Sequence, residues 1–235
     1  MPEIKLYQFG PVPGRESASP FCVKVHYALR YKRLPFEVVN LATPGQSKKL
    51  NSRGKLPVLT YDGTPIGDST DIIRFLEEHH PEPRLYPQDQ RARANALLLE
   101  DWADESLYWH AVYENWMVDD QFAEFAKYLG AAVPALARPI VKVVARRQIG
   151  NQIRGQGFGR MTVDEERRKL CDALDWLQTL AGGGFLCGNA LTVADLAVAA
   201  QLSSLTSPFN KPTAAEVAKR RGLAAWFERV KSAVA

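Results

Sequence analysis

Apolar and polar residues alternate near the start of the chain. Residues 3–9, EIKLYQF, have a period of two, which predicts a β-strand. After a loop rich in Pro, Gly and Ser, Ser19 and Pro20 place an N-cap hydroxyl directly before a proline, and this pair is typical of the start of a helix. The segments that follow predict a strand at 35–41, a hairpin at 57–61 and 64–66, and a helix at 68–80.

The pattern changes after residue 80. Residues 81–90 contain three prolines and predict a linker. From residue 91 onward apolar residues recur at helical spacing, with no convincing strand. The predicted helices are at 91–118, 119–130, 134–153, 163–181, 192–205 and 213–233. The predicted fold class is therefore α+β, with an N-terminal α/β domain at 1–80 and an all-helical C-terminal domain at 91–235.

Composition narrows the possible functions. The chain has 235 residues and a formal net charge of +4, which is too small an excess to indicate binding to nucleic acid. Its three cysteines lie far apart, so neither a disulfide framework nor a structural metal site is expected. The N-terminus lacks the features of a signal peptide, and no apolar stretch is long enough to span a membrane. These observations predict a cytoplasmic protein.

Four short motifs occur in an order that matches one known pattern. They are SPFC at 19–22, GKLPV at 54–58, DS at 68–69 and TVAD at 192–195. Together they resemble the glutathione transferase superfamily with a serine-type active-site turn, and residues 146–166 resemble its failed-axon-connections and metaxin-like branch. The resemblance implies a thioredoxin-like N-terminal domain that binds glutathione as a substrate, a C-terminal helical bundle, and a homodimer that acts in detoxification.

Ser19 is the candidate catalytic residue. A thiol with a pKa of ~8.5 is mostly protonated at neutral pH. The partial positive charge at the N-terminus of the first helix, together with a hydrogen bond from the Ser19 hydroxyl, would stabilise the thiolate of glutathione. The alternative is that Ser19 only caps the helix.

Five further residues are candidate glutathione contacts. The resemblance implies that Leu56 pairs through its main chain with the cysteinyl backbone of glutathione, beside a cis Pro57, and that Lys55 meets the glycine carboxylate. Ser69, at a helix N-terminus, suits the γ-glutamyl carboxylate, and Asp68 suits the α-ammonium group. The structural alternatives are a solvated Lys55, an edge-strand Pro57, and an Asp68 that only caps a helix.

An aromatic stripe is the candidate pocket for the second substrate. Trp102, Trp109 and Tyr113 fall on one side of the first C-terminal helix, and an apolar electrophile would fit beside them. Tyr7 lies at the strand position where other classes of the superfamily carry a catalytic tyrosine. Packing in the core or at a dimer interface is the alternative for the three helical residues, and packing in the core is the alternative for Tyr7.

Other residues have structural interpretations. Cys22 shares an apolar helix face and is interpreted as a buried structural thiol. Thr192 and Asp195 predict a capping box, which serves folding. Between Glu124 and Asp164 the sequence has basic residues and no acid, which favours a solvated basic face over an anionic ligand or a membrane surface.

The leading functional interpretation is an enzyme that transfers the glutathione thiolate to a small apolar electrophile. The loop between Tyr7 and Ser19 is longer than usual in the superfamily, and Arg15 and Ser17 within it either close over the thiol or disturb Ser19. A non-catalytic interaction module is therefore the alternative. A glutathione-dependent thiol redox protein that uses Cys22 is the third interpretation.

Overall fold

A four-stranded mixed sheet forms the first part of the protein. The computed structural model describes residues 2–41, 44–128 and 135–235. The elements of the first part are β1 (Ile4–Phe9), α1 (Pro20–Tyr31), β2 (Glu37–Leu41), α2 (Pro44–Ser47), β3 (Val58–Tyr61), β4 (Thr64–Gly67) and α3 (Ser69–His79). The strand order is β2-β1-β3-β4, with β1 parallel to β2 and antiparallel to β3. This topology confirms the predicted thioredoxin-like unit.

Local sequence signals explain these elements. Ile4, Leu6 and Gln8 of β1 are buried and alternate with half-buried residues, which is the predicted period of two. Asp62 and Gly63 join β3 to β4 with positive φ angles of 47° and 81°, as a tight hairpin turn requires. The predicted hairpin is therefore confirmed.

The second part of the protein is helical. Its elements are α4 (Gln90–Trp102), a π-helical segment (Ala103–Leu107), α5 (Tyr108–Met117), α6 (Asp119–Phe125), α7 (Arg138–Gln156), α8 (Val163–Leu180), α9 (Val193–Leu205), α10 (Lys211–Lys219) and α11 (Arg221–Ala233), with short 3-10 turns at Ala135–Ala137 and Phe158–Arg160. The predicted α+β class is confirmed. The predicted end of a helix at 130 and start of another at 134 lie outside the described residues.

The prediction of one helix at 213–233 was wrong. Arg220 separates α10 from α11 because its backbone, at φ −92° and ψ 79°, is not helical. Its guanidinium group donates to Asp175 Oδ1 at 2.7 Å and to the Cys171 carbonyl oxygen at 3.3 Å, and both of these acceptors belong to α8. The break in the helix thus coincides with contacts to a distant helix, and a periodic pattern contains no signal of them.

One hydrophobic core connects the two parts. The same buried cluster contains Leu29 of α1, Ile72 of α3, Leu196 of α9 and Trp226 of α11. Helix α1 packs against α9 as well as against α3. The domain boundary predicted at 81–90 therefore crosses a shared core, and the division into domains stays a prediction.

The predicted capping box stands at the start of the buried helix α9. The Thr192 N–H and hydroxyl donate to Asp195 Oδ2 at 2.8 and 2.9 Å. Asp195 Oδ1 accepts from the Leu186 N–H at 2.8 Å and from Trp226 Nε1 at 2.9 Å. Because the Asp195 side chain is buried, its carboxylate ties three separate segments together inside the core.

None of the helices in the described ranges is both long enough and apolar enough to cross a bilayer. In the same ranges, no group of three or more His, Cys, Asp and Glu side chains is arranged to hold a metal ion.

Candidate active site

A cleft of about 640 Å³ lies where the first part of the protein meets α4, and we call it the main cleft. Its walls come from the first turn of α1, the segment before β3, the N-terminus of α3, and the α4 and π-helical run. All five candidate glutathione contacts line it: Lys55, Leu56, Pro57, Asp68 and Ser69. The structure therefore brings together residues that are up to 14 positions apart in the sequence.

The segment before β3 presents its backbone to the main cleft. The Leu56-Pro57 bond is cis, as the resemblance implied. In the part of the chain that the structure describes, neither the N–H nor the carbonyl of Leu56 has a hydrogen-bond partner. Asn51 holds the segment, since its side chain donates to the Lys55 carbonyl oxygen and accepts from the Gly54 N–H, both at 2.8 Å. An unpaired donor and acceptor at a cleft suit a peptide-like ligand.

The N-terminus of α3 forms the next part of the wall. Asp68 caps this helix, and its Oδ1 accepts from the Thr70 N–H at 3.0 Å. The φ angle of Asp68 is +80°, a conformation that is uncommon for non-glycine residues. Its other oxygen, Oδ2, faces Arg53 at 3.7 Å. The capping alternative is thus present, and Ser69, buried beside it, begins the helix.

Ser19 occupies the N-cap position of α1. Its side chain makes no capping hydrogen bond, and no acidic residue lies in the first turn of the helix. Its N–H donates to Ser17 Oγ at 3.2 Å. Phe21, two residues later, lines the main cleft, whereas Ser19 is not among the lining residues. The catalytic assignment of Ser19 therefore stays a prediction.

Cys22 is fully buried one turn into α1. Burial raises the pKa of its thiol to about 11, and the neighbouring Ser19 and Ser17 hydroxyls oppose that effect only in part. A thiol with this pKa is protonated at neutral pH. The geometry agrees with the interpretation of a buried structural thiol and counts against the redox interpretation.

Arg15 and Ser17, the two residues of the long loop before α1 that were expected near the thiol, do not line the main cleft. Arg15 is buried, and its guanidinium carbon lies 6.0 Å from the centre of the Phe209 ring. Desolvation lowers the pKa of Arg15 to about 10. The Ser17 hydroxyl donates to the Phe9 carbonyl oxygen at 2.8 Å. Within the described residues, the Ser17 hydroxyl is thus held by the loop, whereas the buried guanidinium nitrogens of Arg15 have no hydrogen-bond partner.

The aromatic candidates for the second substrate pocket lie elsewhere. Tyr7 packs against the small cluster around Cys22, and Trp102 packs against the main core. Trp109 and Tyr113 belong to a third cluster, in which the Tyr113 hydroxyl donates to a carbonyl oxygen at 3.0 Å. None of the four lines the main cleft. This packing is the core alternative, and the assignment of the four residues to a second-substrate pocket stays a prediction. The apolar surface of the cleft comes from Phe21, Leu97 and Leu98.

A buried lysine behind the main cleft was missed by the sequence reasoning. Lys24 Nζ donates to Glu100 Oε1 at 2.7 Å, to Asp104 Oδ2 at 2.6 Å and to Thr70 Oγ1 at 3.2 Å. The Thr70 hydroxyl in turn donates to Glu100 Oε1 at 3.0 Å. A lysine among the apolar residues of α1 was the available signal, but its partners lie 46 to 80 positions away.

This network has a strong electrostatic basis. Burial by itself lowers the pKa of Lys24, but the charges of Asp104 and Glu100 outweigh it, and the net pKa is raised. Burial raises the pKa of Asp104 against the opposing effect of Lys24. The network joins α1, α3, α4 and the π-helical segment, which contains Asp104. Because Asp104 also lines the main cleft, this junction lies at the site.

Comparison with known proteins agrees with this geometry. The family model for the glutathione S-transferase N-terminal domain matches residues 17–84, and the model for the C-terminal domain matches residues 160–229. Protein LigF of Sphingobium sp. strain SYK-6 is 28% identical over 244 residues, which cover 97% of this chain and 89% of LigF. The crystal structure of this beta-etherase has a TM-score of 0.67 at 27% identity and covers 98% of this chain and 96% of that chain.

Two further relatives extend the comparison. The isoprene-epoxide–glutathione S-transferase of Rhodococcus sp. strain AD45 is 30% identical over 180 residues, which are 73% of this chain and 74% of the relative. Failed axon connections of Drosophila melanogaster is 28% identical over 86% of this chain and half of its own length. With both family models in order along the chain, the protein belongs to the glutathione S-transferase family and is an enzyme of that family.

Proposed function

We propose that the protein binds glutathione in the main cleft and transfers its thiolate to a small electrophile. The observation that carries the proposal is the convergence of the unpaired Leu56 backbone and the N-terminus of α3 on one cleft. A volume of about 640 Å³ is in the range of small-molecule sites.

Each polar or charged group of glutathione is assigned to a part of the main cleft that complements it. The cysteinyl N–H and carbonyl pair with the carbonyl and N–H of Leu56. The γ-glutamyl carboxylate accepts hydrogen bonds from the Ser69 N–H and hydroxyl at the positive end of α3. Lys55 meets the glycine carboxylate, and Asp68 attracts the α-ammonium group. This orientation places the thiol toward the first turn of α1.

The electrophile is assigned by chemistry that two relatives share. One relative is named as a beta-etherase and the other as an isoprene-epoxide transferase. Ethers and epoxides both have a carbon bonded to an oxygen that can act as a leaving group. In the proposed reaction the thiolate sulfur forms a bond to that carbon while the carbon–oxygen bond breaks, and the oxygen leaves with the electron pair and takes a proton. Phe21, Leu97 and Leu98 offer an apolar surface for such a substrate. A homodimer and a cytoplasmic location remain part of the proposal.

Ser69→Ala is expected to weaken glutathione binding about 10- to 100-fold, because it removes a hydrogen bond to a charged carboxylate. Calorimetric titration of the purified protein measures the change. Ser232→Ala, at an exposed serine of α11, is the matched control and is expected to bind like the wild type. Equal affinity of the Ser69 and Ser232 variants would remove Ser69 from the site, and a wild type that binds nothing at millimolar glutathione would refute the proposal.

Ser19→Ala is expected to leave glutathione affinity within about threefold and to raise the pKa of the bound thiol by about one unit, since one charge-assisted hydrogen bond corresponds to roughly 1.4 kcal/mol. Thiolate absorbance of the complex, followed from pH 5 to pH 10, measures that pKa. An unchanged pKa in the variant would mean that Ser19 does not contact the sulfur. A wild-type pKa no lower than that of free glutathione would favour a non-catalytic binding module.

A further inference from the structure

Helix α7 presents large apolar side chains to solvent. Ile140, Val143 and Val144 follow the i, i+3, i+4 spacing, so they share one face of the helix. Their exposed fractions are 67%, 69% and 57%, and Leu136, in the turn before the helix, is 96% exposed. Arg147 continues the same stripe at i+7 and is also exposed. We call this surface the α7 face.

The charges that helix α7 itself carries have one sign, and the neighbouring acid Asp119 of α6 is already paired with Arg146. Helix α7 contains no acidic residue, and no Asp or Glu occurs between Glu124 and Asp164 in the sequence. Its basic residues are Arg138, Lys142, Arg146, Arg147 and Arg154. Across the described ranges, Lys142, Arg147 and Arg154 form no ion pair. Three cations therefore lack a protein counter-charge beside an exposed apolar stripe.

A second cleft, of about 470 Å³, lies along the flank of α7. Trp116, Met117 and Phe122 supply apolar surface from α5 and α6, while Lys142, Arg147 and Arg154 stand around it. Arg146 stiffens the junction, since it donates to the Trp116 carbonyl oxygen at 2.9 Å and to Asp119 Oδ1 at 2.6 Å. The cleft thus combines apolar and cationic surface beside the α7 face.

We propose that the α7 face binds the surface of an anionic phospholipid membrane. An interfacial helix buries apolar side chains at the level of the headgroups and pairs its basic residues with lipid phosphates. At ~1.5 Å per residue the 19 residues of α7 give a helix roughly 28 Å long, which lies in the plane of the membrane surface. Arg147 and Arg154, which follow Ile140 at i+7 and i+14 on the same side of the helix, meet the headgroups, and Ile140 and Val143 enter the acyl boundary.

The charge of α7 favours an anionic membrane over a second copy of the chain as the partner of the α7 face. A symmetric contact would bring two α7 faces together and place the unpaired cations of both copies close to one another, and the nearby Asp119 is already paired with Arg146. An anionic surface supplies the missing counter-charges. The inference does not depend on the proposed transferase activity, because no residue of the α7 face lines the main cleft.

Vesicle co-sedimentation of the full chain tests the proposal. Vesicles of phosphatidylcholine alone are compared with vesicles that contain 30% phosphatidylglycerol, at 50 mM and 500 mM salt. We expect binding to the anionic vesicles only, with loss of at least tenfold in affinity at the higher salt concentration. Absence of binding to anionic vesicles at 50 mM salt, or equal binding to both compositions, would overturn the proposal.

Variants separate the apolar and basic contributions. Ile140→Glu/Val143→Glu and Arg147→Gln/Arg154→Gln are each expected to lower vesicle affinity at least tenfold while glutathione binding stays unchanged. Trp176→Glu, at another exposed apolar residue on α8, is the matched control and is expected to bind vesicles like the wild type. Light scattering supplies a further check: a dimer that the Ile140/Val143 variant converts to a monomer would assign the face to a second copy and refute the membrane proposal.

Discussion

Replacing Lys24 with methionine is expected to lower the free energy of unfolding by about 3–5 kcal/mol, because one cation is removed from a buried network and two carboxylates remain. In the wild type, Lys24 contacts Glu100 and Asp104 at 2.7 and 2.6 Å with almost no solvent access. The raised pKa of Lys24 keeps it charged at neutral pH, and this stabilisation is lost only as the pH rises through its folded pKa, above the ordinary 10.5.

Urea unfolding at pH 7 measures the effect of Lys24→Met. Lys219→Met, at an exposed lysine of α10, is the control and is expected to change stability by less than about 0.5 kcal/mol. The triple variant Lys24→Met/Glu100→Gln/Asp104→Asn is expected to recover about 1–3 kcal/mol of the loss, since it carries no unpaired buried charge. A loss below about 1 kcal/mol in the single variant would show that water reaches the carboxylates.

Acid should relieve the defect of the Lys24 variant. Burial already raises the pKa of Asp104 in the wild type, and removal of the cation raises it further. As the pH falls from 7 to 5, protonation removes a buried negative charge, so the difference between variant and wild type is expected to shrink. Greater destabilisation at pH 5 than at pH 7 would contradict the electrostatic explanation.

Asp195→Ala is expected to destabilise the protein by about 3–5 kcal/mol. The substitution leaves the N–H groups of Leu186 and Thr192 and the Trp226 indole without their acceptor inside the core, and each unsatisfied buried donor costs about 1–3 kcal/mol. Thermal and urea unfolding measure the loss. Asp195→Asn keeps one acceptor oxygen and is expected to lose less.

A control for Asp195 comes from the surface of α8. Asp172→Ala removes an exposed carboxylate from a helix and is expected to change stability by less than about 0.5 kcal/mol. If Asp195→Ala and Asp172→Ala unfolded at the same urea concentration, the capping network would not be a source of stability. An Asn variant as unstable as the Ala variant would assign the effect to the charge of Asp195 rather than to acceptor geometry.

The features that could be predicted from the sequence are those set by residues close to one another in the chain. The Asp62-Gly63 turn, the start of α1 at Pro20 and the capping box at Thr192 all follow from neighbouring residues, and the structure contains all three. The candidate glutathione contacts also lie in short motifs next to element ends. Such positions can be predicted because a few neighbouring residues set the backbone conformation that they require.

The features that were missed depend on contacts between distant segments. Lys24 and Asp104 are 80 positions apart, and periodicity does not indicate which buried charges will meet. The break at Arg220 coincides with hydrogen bonds to acceptors in α8, which lie more than 40 positions away in the sequence. In each case tertiary packing decided between two interpretations that the local pattern left open.

The shared core has a consequence for how this architecture can evolve. Leu29 of α1 and Leu196 of α9 belong to one buried cluster, and Lys24 fastens α1 to the segment that follows α4. Exchange of the first 80 residues for those of another family member would pair unmatched surfaces along that junction. The N-terminal part therefore cannot be exchanged without disturbing the shared core. New substrate preferences are expected to arise by substitution within the chain rather than by recombination of its halves.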